Sequence, residues 1–296
     1  MNIREWALIT FTILAQMASG AMLVLMVIRA YLALKAKTEE VDKILDGPLF
    51  IVVPIMGLAL LASLLHLNNL ANVVNAVPNL DSSWLSREVV LAVTFVVVAV
   101  IYTFLQWRKI GGNTLRTLIG WITALVGVVQ VYAMGMVYMI RTQPAWNTLA
   151  TPINFFVTAL LLGGLAVAVA MMFMHSQAEK QSPLFRQVLQ GIVLGAVILL
   201  GIEFLILPIY MAYLATQGPV ALESLMLMVG PYFGTLVLRL IVIFIGVGIL
   251  VTYLSRNLPG REKALATLTY SAFVLVLVGE VMGRVLFYVT HLRVGL

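Results

Sequence analysis

The sequence contains no cysteine and little charge. Only 10% of its 296 residues are Asp, Glu, Lys or Arg. Cysteine thiolates form disulfides and hold most iron–sulfur clusters, so the composition excludes both from this protein. The net charge of +6 comes from basic residues in short segments beside apolar runs. That distribution is a membrane-topology signal and argues against a nucleic-acid-binding surface.

Long apolar runs dominate what remains. Hydrophobic residues make up 62% of the sequence and the mean hydropathy is +1.07, which no soluble domain of this length shows. A spanning helix needs roughly 20 apolar residues, and only helices or closed barrels cross a bilayer. The sequence therefore predicts an all-α, polytopic integral membrane protein of one domain, a bundle of eight transmembrane helices. The predicted spans are about 6–34, 47–67, 86–107, 115–140, 151–175, 187–214, 233–254 and 264–291.

The basic residues predict the orientation. Twelve lysines and arginines lie in or beside the segments that follow the first, third, fifth and seventh spans, against four on the opposite side. Cytoplasmic loops carry the excess of Lys and Arg, so we expect both termini to be periplasmic.

Five ionisable residues lie inside these spans: Glu88, Glu203, Arg239, Glu280 and Arg284. The helix rise of about 1.5 Å per residue places all five in the outer half of the membrane, together with His66 and His291 at helix ends. Buried charge in a membrane usually marks a site, and a cluster on one side predicts a pocket with one aqueous opening. The alternative is a structural network, since Glu280 and Arg284 are spaced to pair along one helix and Glu203 and Arg239 across two.

His66 ends the second span and Glu88 follows the start of the third, so these two antiparallel helices bring them to the same face. A histidine and a carboxylate suit the transfer of two protons from a hydroquinone. Two plainer interpretations stay open: a solvated histidine, and a carboxylate stabilised by a helix N-terminus. A haem held by His66 and His291 is disfavoured, because the spans contain no paired histidines.

The whole sequence resembles the membrane-anchor subunits of dimethyl sulfoxide reductase-type molybdoenzymes. The resemblance is carried by residues 5–6, by Gln16 with Gly20, and by residues 62–67, 83–88, 151–158 and 279–288. It implies an anchor that oxidises menaquinol, with His66 and Glu88 as quinol-site residues. Arg87, Glu203, Arg239, Glu280, Arg284 and His291 are then candidates for a supporting charge network.

The resemblance also implies partners: a four-cluster, ferredoxin-like iron–sulfur subunit and a molybdopterin catalytic subunit, held at the cell inner membrane for anaerobic respiration. This protein is then a subunit without the catalytic centre, and it is expected to hold no haem, iron–sulfur cluster or molybdenum. One segment departs from the family pattern, with Asn68, Leu70 and Asn72 where the family has Gly, Pro and Arg.

Two alternatives remain open on the sequence. The first is a related anchor of a polysulfide-type reductase, or of a dehydrogenase that reduces quinone. The second is a small transporter, which the scarcity of charge in the inner half and the lack of an inverted repeat disfavour.

Overall fold

The protein is almost entirely helical in a computed structural model that describes residues 3–66, 79–255 and 262–294. These ranges contain no β-strand. The helices are α1 (Ile3–Ala33), α2 (Thr38–Leu49), α3 (Val52–His66), α4 (Trp84–Arg108), α5 (Asn113–Val137), α6 (Ala150–Met174), α7 (Gln177–Lys180), α8 (Pro183–Thr216), α9 (Pro219–Val229), α10 (Phe233–Ser255) and α11 (Glu262–Val289).

Eight helical segments in these ranges are long and apolar enough to cross a membrane. They are α1, the consecutive pair α2 and α3, and then α4, α5, α6, α8, α10 and α11. The all-α, polytopic membrane fold is therefore confirmed. The second span begins at Thr38, nine residues before its predicted start, and the other seven lie close to their predicted positions. That the protein is one domain, and that both termini are periplasmic, stay predictions.

Helices α1 and α6 form the centre of the bundle. Helix α1 packs against α3, α5 and α6, while α6 also contacts α8 and α11. A Cβ on Gly20 would lie 1.8 Å from the carbonyl oxygen of Ala159, and a Cβ on Gly163 would lie 2.2 Å from the amide nitrogen of Ala21. Glycine at these two positions lets the backbones touch, which is how helices gain packing energy in lipid.

Hydrogen bonds at helix ends fix where α4 begins and ends. Ser83 caps the start of α4, its hydroxyl accepting a hydrogen bond from the amide of Ser86. After Arg108 the backbone turns through Lys109, whose φ of 54° is left-handed. The amide of Ile110 then returns to the carbonyl of Leu105, which satisfies an otherwise free helix-end oxygen.

The end of the bundle where α4, α6 and α10 begin and α11 ends is called the outer end below, following the predicted orientation. The opposite, inner end buries more charge than the sequence predicts. Arg29 donates to Asp42 at 2.7 Å, and Lys109 contacts Asp42 at 2.6 Å and Asp46 at 2.5 Å. The expectation of almost no charge in the inner half is therefore wrong: α2 carries its acidic residues into contact with cations from α1 and the end of α4. This cluster ties the short helix α2 to the bundle.

Candidate functional site at the outer end of the bundle

Glu88 lies in the second turn of α4 and is 5% exposed. Its carboxyl group is close enough to the hydroxyls of Tyr138 and Tyr288 to interact with both electrostatically. Those two hydroxyls are hydrogen-bonded to each other at 2.5 Å, and Tyr288 also bonds the side chain of Thr12. Among the described residues Glu88 forms no ion pair, so its buried carboxyl group has no counter-charge there.

His66 is the last residue of α3, and its side chain lies outside the described part of the protein. Asn68, Leu70 and Asn72 lie outside it as well. Helices α3 and α4 do contact each other, as the antiparallel arrangement requires. The pairing of His66 with Glu88 therefore stays a prediction.

Three of the predicted charges, Glu203, Arg239 and Glu280, come together in one network between α6, α8, α10 and α11. Arg239 on α10 donates a hydrogen bond to Glu203 on α8, which confirms the pairing expected across these helices. A nitrogen of Arg239 also lies 4.0 Å from Oε1 of Glu280 on α11. The other oxygen of Glu280 accepts a hydrogen bond from the Thr158 hydroxyl of α6 at 2.5 Å.

Arg284 does not form the ion pair with Glu280 that the spacing along α11 allows, and that expectation is wrong. Its guanidinium donates to Oε1 of Gln16 on α1 at 2.8 Å and lies 3.9 Å from the ring centroid of Phe155 on α6. Because Glu280 turns to Thr158 and Arg239, the two neighbours on α11 link three other helices instead of each other. Arg284 is thus held by an amide and an aromatic face.

The two glycines beside this network make room for side chains. A Cβ on Gly283 would lie 2.6 Å from Nε of Arg239, so a larger residue there would displace the guanidinium. Arg239 also donates from Nε to the carbonyl oxygen of Gly279 at 3.3 Å. Gly283 therefore makes room for an arginine of α10, and Gly279 makes room for Ile243, whose Cγ1 would lie 2.4 Å from an added Cβ.

A cavity opens directly onto the network. It contains about 770 Å³ of space not occupied by atoms, part of it open to the surroundings. Its polar wall is formed by Asn154, Thr158, Glu203, Arg239, Glu280 and Arg284. Phe155, Phe287 and Tyr210 contribute aromatic rings, and Thr151, Thr290 and several aliphatic side chains also line the cavity. The predicted pocket with clustered charge is present, although Glu88 does not line it.

Arg87 and His291 lie at the outer end but do not join the network through any described contact. Arg87 donates to the carbonyl oxygens of Leu80 and Asp81, at 2.8 and 2.9 Å, and so holds the segment before α4. His291 stacks on Trp146 with ring centroids 4.2 Å apart. Both side chains therefore make local contacts at the outer end of the bundle.

Sequence reasoning misses the polar partners of the charged residues. Gln16 and Thr158 enter it only as parts of family-like segments, and nothing in the sequence singles out Tyr138. A polar side chain within an apolar helix is the available signal, because burying one without a partner is costly. The charged residue that such a side chain contacts depends on how the helices pack. The spacing of residues along one helix does not reveal that packing.

Comparison with known proteins agrees with this architecture. The family model of the DMSO reductase anchor subunit (DmsC) matches residues 1–290. The sequence is 30% identical to the C subunit of the anaerobic dimethyl sulfoxide reductase of Escherichia coli and 29% identical to the corresponding subunit of Haemophilus influenzae. Each of these matches covers 99% of this protein and 96% of the relative. The anaerobic dimethyl sulfoxide reductase subunit YnfH of E. coli is 27% identical over the same shares of the two proteins. This multi-pass membrane protein belongs to the DMSO reductase anchor subunit family.

Proposed function

We propose that the protein oxidises menaquinol near the periplasmic face of the cell inner membrane and passes the electrons to an iron–sulfur subunit. Membership of the anchor family supports a role in holding a DMSO reductase-type complex, with its catalytic and electron-transfer subunits, at the membrane. In this proposal the partners are a four-cluster ferredoxin-like subunit and a molybdopterin subunit, and the process is anaerobic respiration. Menaquinol is the substrate bound by the anchor itself.

The proposal depends on one observation: Glu88 is buried and has no ion-pair partner among the described residues. A buried carboxyl group without a counter-charge is costly as an anion and so is suited to accept a proton during turnover. Glu88 is 5% exposed and, among the described residues, forms no ion pair, whereas Glu203 of the same layer is paired with Arg239. Of the two carboxyl groups, Glu88 has the surroundings of a general base.

Oxidation of a quinol to a quinone releases two protons and two electrons. His66 and Glu88 accept the protons, and the electrons leave one at a time to the nearest cluster of the iron–sulfur subunit. The hydrogen-bonded hydroxyls of Tyr138 and Tyr288 lie within electrostatic range of Glu88. Proton release and the electron acceptor are then on the same side of the membrane.

Replacing Glu88 with glutamine tests this assignment. Glu88→Gln keeps the size of the side chain but removes the base, so menadiol oxidation by the purified complex is expected to fall roughly 100- to 10,000-fold. His66→Arg is expected to have a comparable effect. Anaerobic measurement of menadiol oxidation, with the subunit composition of each complex, provides the check.

The control is Glu179→Gln, which removes an exposed carboxylate in the segment after α6, at the inner end. It should oxidise menadiol at the wild-type rate. A soluble one-electron donor that reduces the catalytic subunit directly should work equally well with all variants. Wild-type menadiol oxidation by Glu88→Gln would refute the role of Glu88, and loss of assembly would assign it a structural one.

A further inference from the structure

The cavity beside the charge network presents hydrogen-bond acceptors that have no donor. Among the described residues, three of its buried oxygens lack a hydrogen-bond partner: Oε2 of Glu203, Oε1 of Glu280 and Oδ1 of Asn154. Glu280 is itself only 4% exposed. A buried acceptor without a donor is destabilising, so three on one cavity wall indicate a bound molecule that donates.

The cations of the cavity are already engaged. Arg239 binds Glu203 and the carbonyl oxygen of Gly279, and Arg284 binds Gln16 and faces the ring of Phe155. Two arginines and two glutamates make the wall electrically neutral. An anion such as a lipid phosphate accepts hydrogen bonds and carries negative charge, so it does not match unpartnered carboxylate oxygens.

The remaining walls fit a flat apolar ring. Phe155 and Phe287 line the cavity, with ring centroids 5.9 Å apart in an edge-to-face arrangement. Leu207, Met228 and Leu236 line it as well. Aromatic side chains of this kind pack against a planar ring. The three unpartnered oxygens can accept hydrogen bonds from its hydroxyl groups and so orient the ring.

A second crevice leads from the cavity between α8 and α10. It contains about 210 Å³ and shares Glu203, Leu207 and Arg239 with the larger cavity. Its other lining residues are Phe204, Leu240 and Ile243, all apolar. A hydrocarbon tail on a ligand held in the cavity would lie against these apolar side chains.

We propose that this cavity is a second binding site for a hydroquinone of the lipid-soluble class, separate from His66 and Glu88 and selective for the reduced ring. The proposal rests on the proposed function for the identity of the ligand class. A hydroquinone donates through both hydroxyls, whereas the oxidised quinone only accepts, so the unpartnered oxygens favour substrate over product. Ring contacts join Phe155 and Phe287 of this cavity to Tyr138 and Tyr288, the two tyrosines that interact electrostatically with Glu88.

Glu280→Gln replaces a hydrogen-bond acceptor of the cavity with a donor. The amide oxygen keeps the hydrogen bond from Thr158, and the new NH₂ group replaces the unpartnered oxygen Oε1. A donor there repels a hydroxyl hydrogen and attracts a quinone carbonyl. Affinity of the cavity for menadiol is expected to fall at least tenfold, while affinity for the oxidised form, menadione, rises.

Asn154→Leu is the second variant, because it removes an unpartnered acceptor without touching either ion pair. It should also weaken menadiol binding, and it keeps the proposal testable if Glu280→Gln does not fold. Glu179→Gln, at the inner end, is the matched control and should bind like the wild type.

The measurement is anaerobic equilibrium dialysis of menadiol and menadione against the purified complex. We expect two menadiol molecules per wild-type anchor, with one lost in Glu280→Gln and the other in Glu88→Gln. A single molecule that disappears only in Glu280→Gln would contradict the proposed role of Glu88 and retain this site. A stoichiometry that Glu280→Gln and Asn154→Leu both leave unchanged would show that the cavity holds water alone. Equal affinity of the wild-type cavity for menadiol and menadione would overturn its selectivity for the reduced ring.

Discussion

The buried charges at the outer end differ in how each is compensated. Glu203 has an arginine partner, Arg284 has an amide and an aromatic face, and Glu88 has phenolic neighbours. In a membrane interior an ion stripped of its counter-ion is strongly destabilising, while a carboxyl group can become neutral by taking up a proton. Paired charges are therefore expected to contribute to the fold, and Glu88 to proton transfer.

The Glu203–Arg239 pair allows a direct test of the structural role. Arg239→Met leaves a buried carboxylate without its cation, so the free energy of unfolding should fall by roughly 3–5 kcal/mol. The double replacement Glu203→Met with Arg239→Met removes both charges and should recover most of that loss. Thermal unfolding in detergent measures both variants.

Exposed Arg141 supplies the control, since Arg141→Ala should change the unfolding temperature little. If Arg239→Met unfolds at the same temperature as Arg141→Ala, the pair does not stabilise the bundle.

At this scale the sequence predicts the charged residues but not their partners. The charges are visible because any ionisable residue within an apolar run is conspicuous. Their contacts depend on helices far apart in the sequence: Gln16 and Arg284 are separated by 268 positions, and Thr158 and Glu280 by 122. Neither contact follows from spacing along one helix, and the pairing of Glu280 with Arg284 that spacing favours does not form.

Among the elements, α1 and α6 have the closest described approach. In lipid, apolar side chains gain little by leaving the solvent, so contact between backbones through small residues supplies much of the packing energy. Gly20 and Gly163 place the two helices in direct contact. Because α6 also packs against α8 and α11, this contact joins α1 to those two helices through α6.

Gly20→Ala is expected to separate these helices. Its Cβ would lie 1.8 Å from a backbone oxygen, which cannot move without shifting α6. The free energy of unfolding should fall by about 3 kcal/mol or more, the upper end of overpacking costs. Thermal unfolding and the yield of folded protein measure the effect.

Gly201→Ala is the matched control, because nothing lies within 4 Å of the added Cβ and the residue is in the middle of α8. Alanine favours helix over glycine, so this change should be neutral or stabilising by up to about 1 kcal/mol. Equal unfolding temperatures for the two variants would contradict the close contact of α1 and α6.

The sequence predicts the helices that consist of long apolar runs, and it does not predict the shorter helices. All eight spans follow from runs of roughly 20 or more apolar residues. Helix α2 escapes prediction because its acidic residues interrupt the apolar pattern, although they pair with cations from α1 and from the end of α4 in the fold. Helix α9 has 11 residues, too few to cross a bilayer.

In the whole molecule, the polar groups that hold helices together and the proposed binding residues lie mainly at opposite ends of the bundle. The inner end holds a cluster of ion pairs that ties α2 to α1 and α4. The outer end holds Glu88, the charge network and the cavity, on helices that all reach the same face. An electron acceptor docked on that face would be near both sites, which is the arrangement that short-range electron transfer requires.

In the proposed function, electrons from menaquinol enter the complex through this anchor. The most direct measurement is electron paramagnetic resonance of the iron–sulfur clusters in the purified complex after anaerobic addition of menadiol. We expect rapid reduction of the clusters with the wild-type anchor and slow reduction with Glu88→Gln. Equally rapid reduction in a complex that lacks the anchor would contradict it.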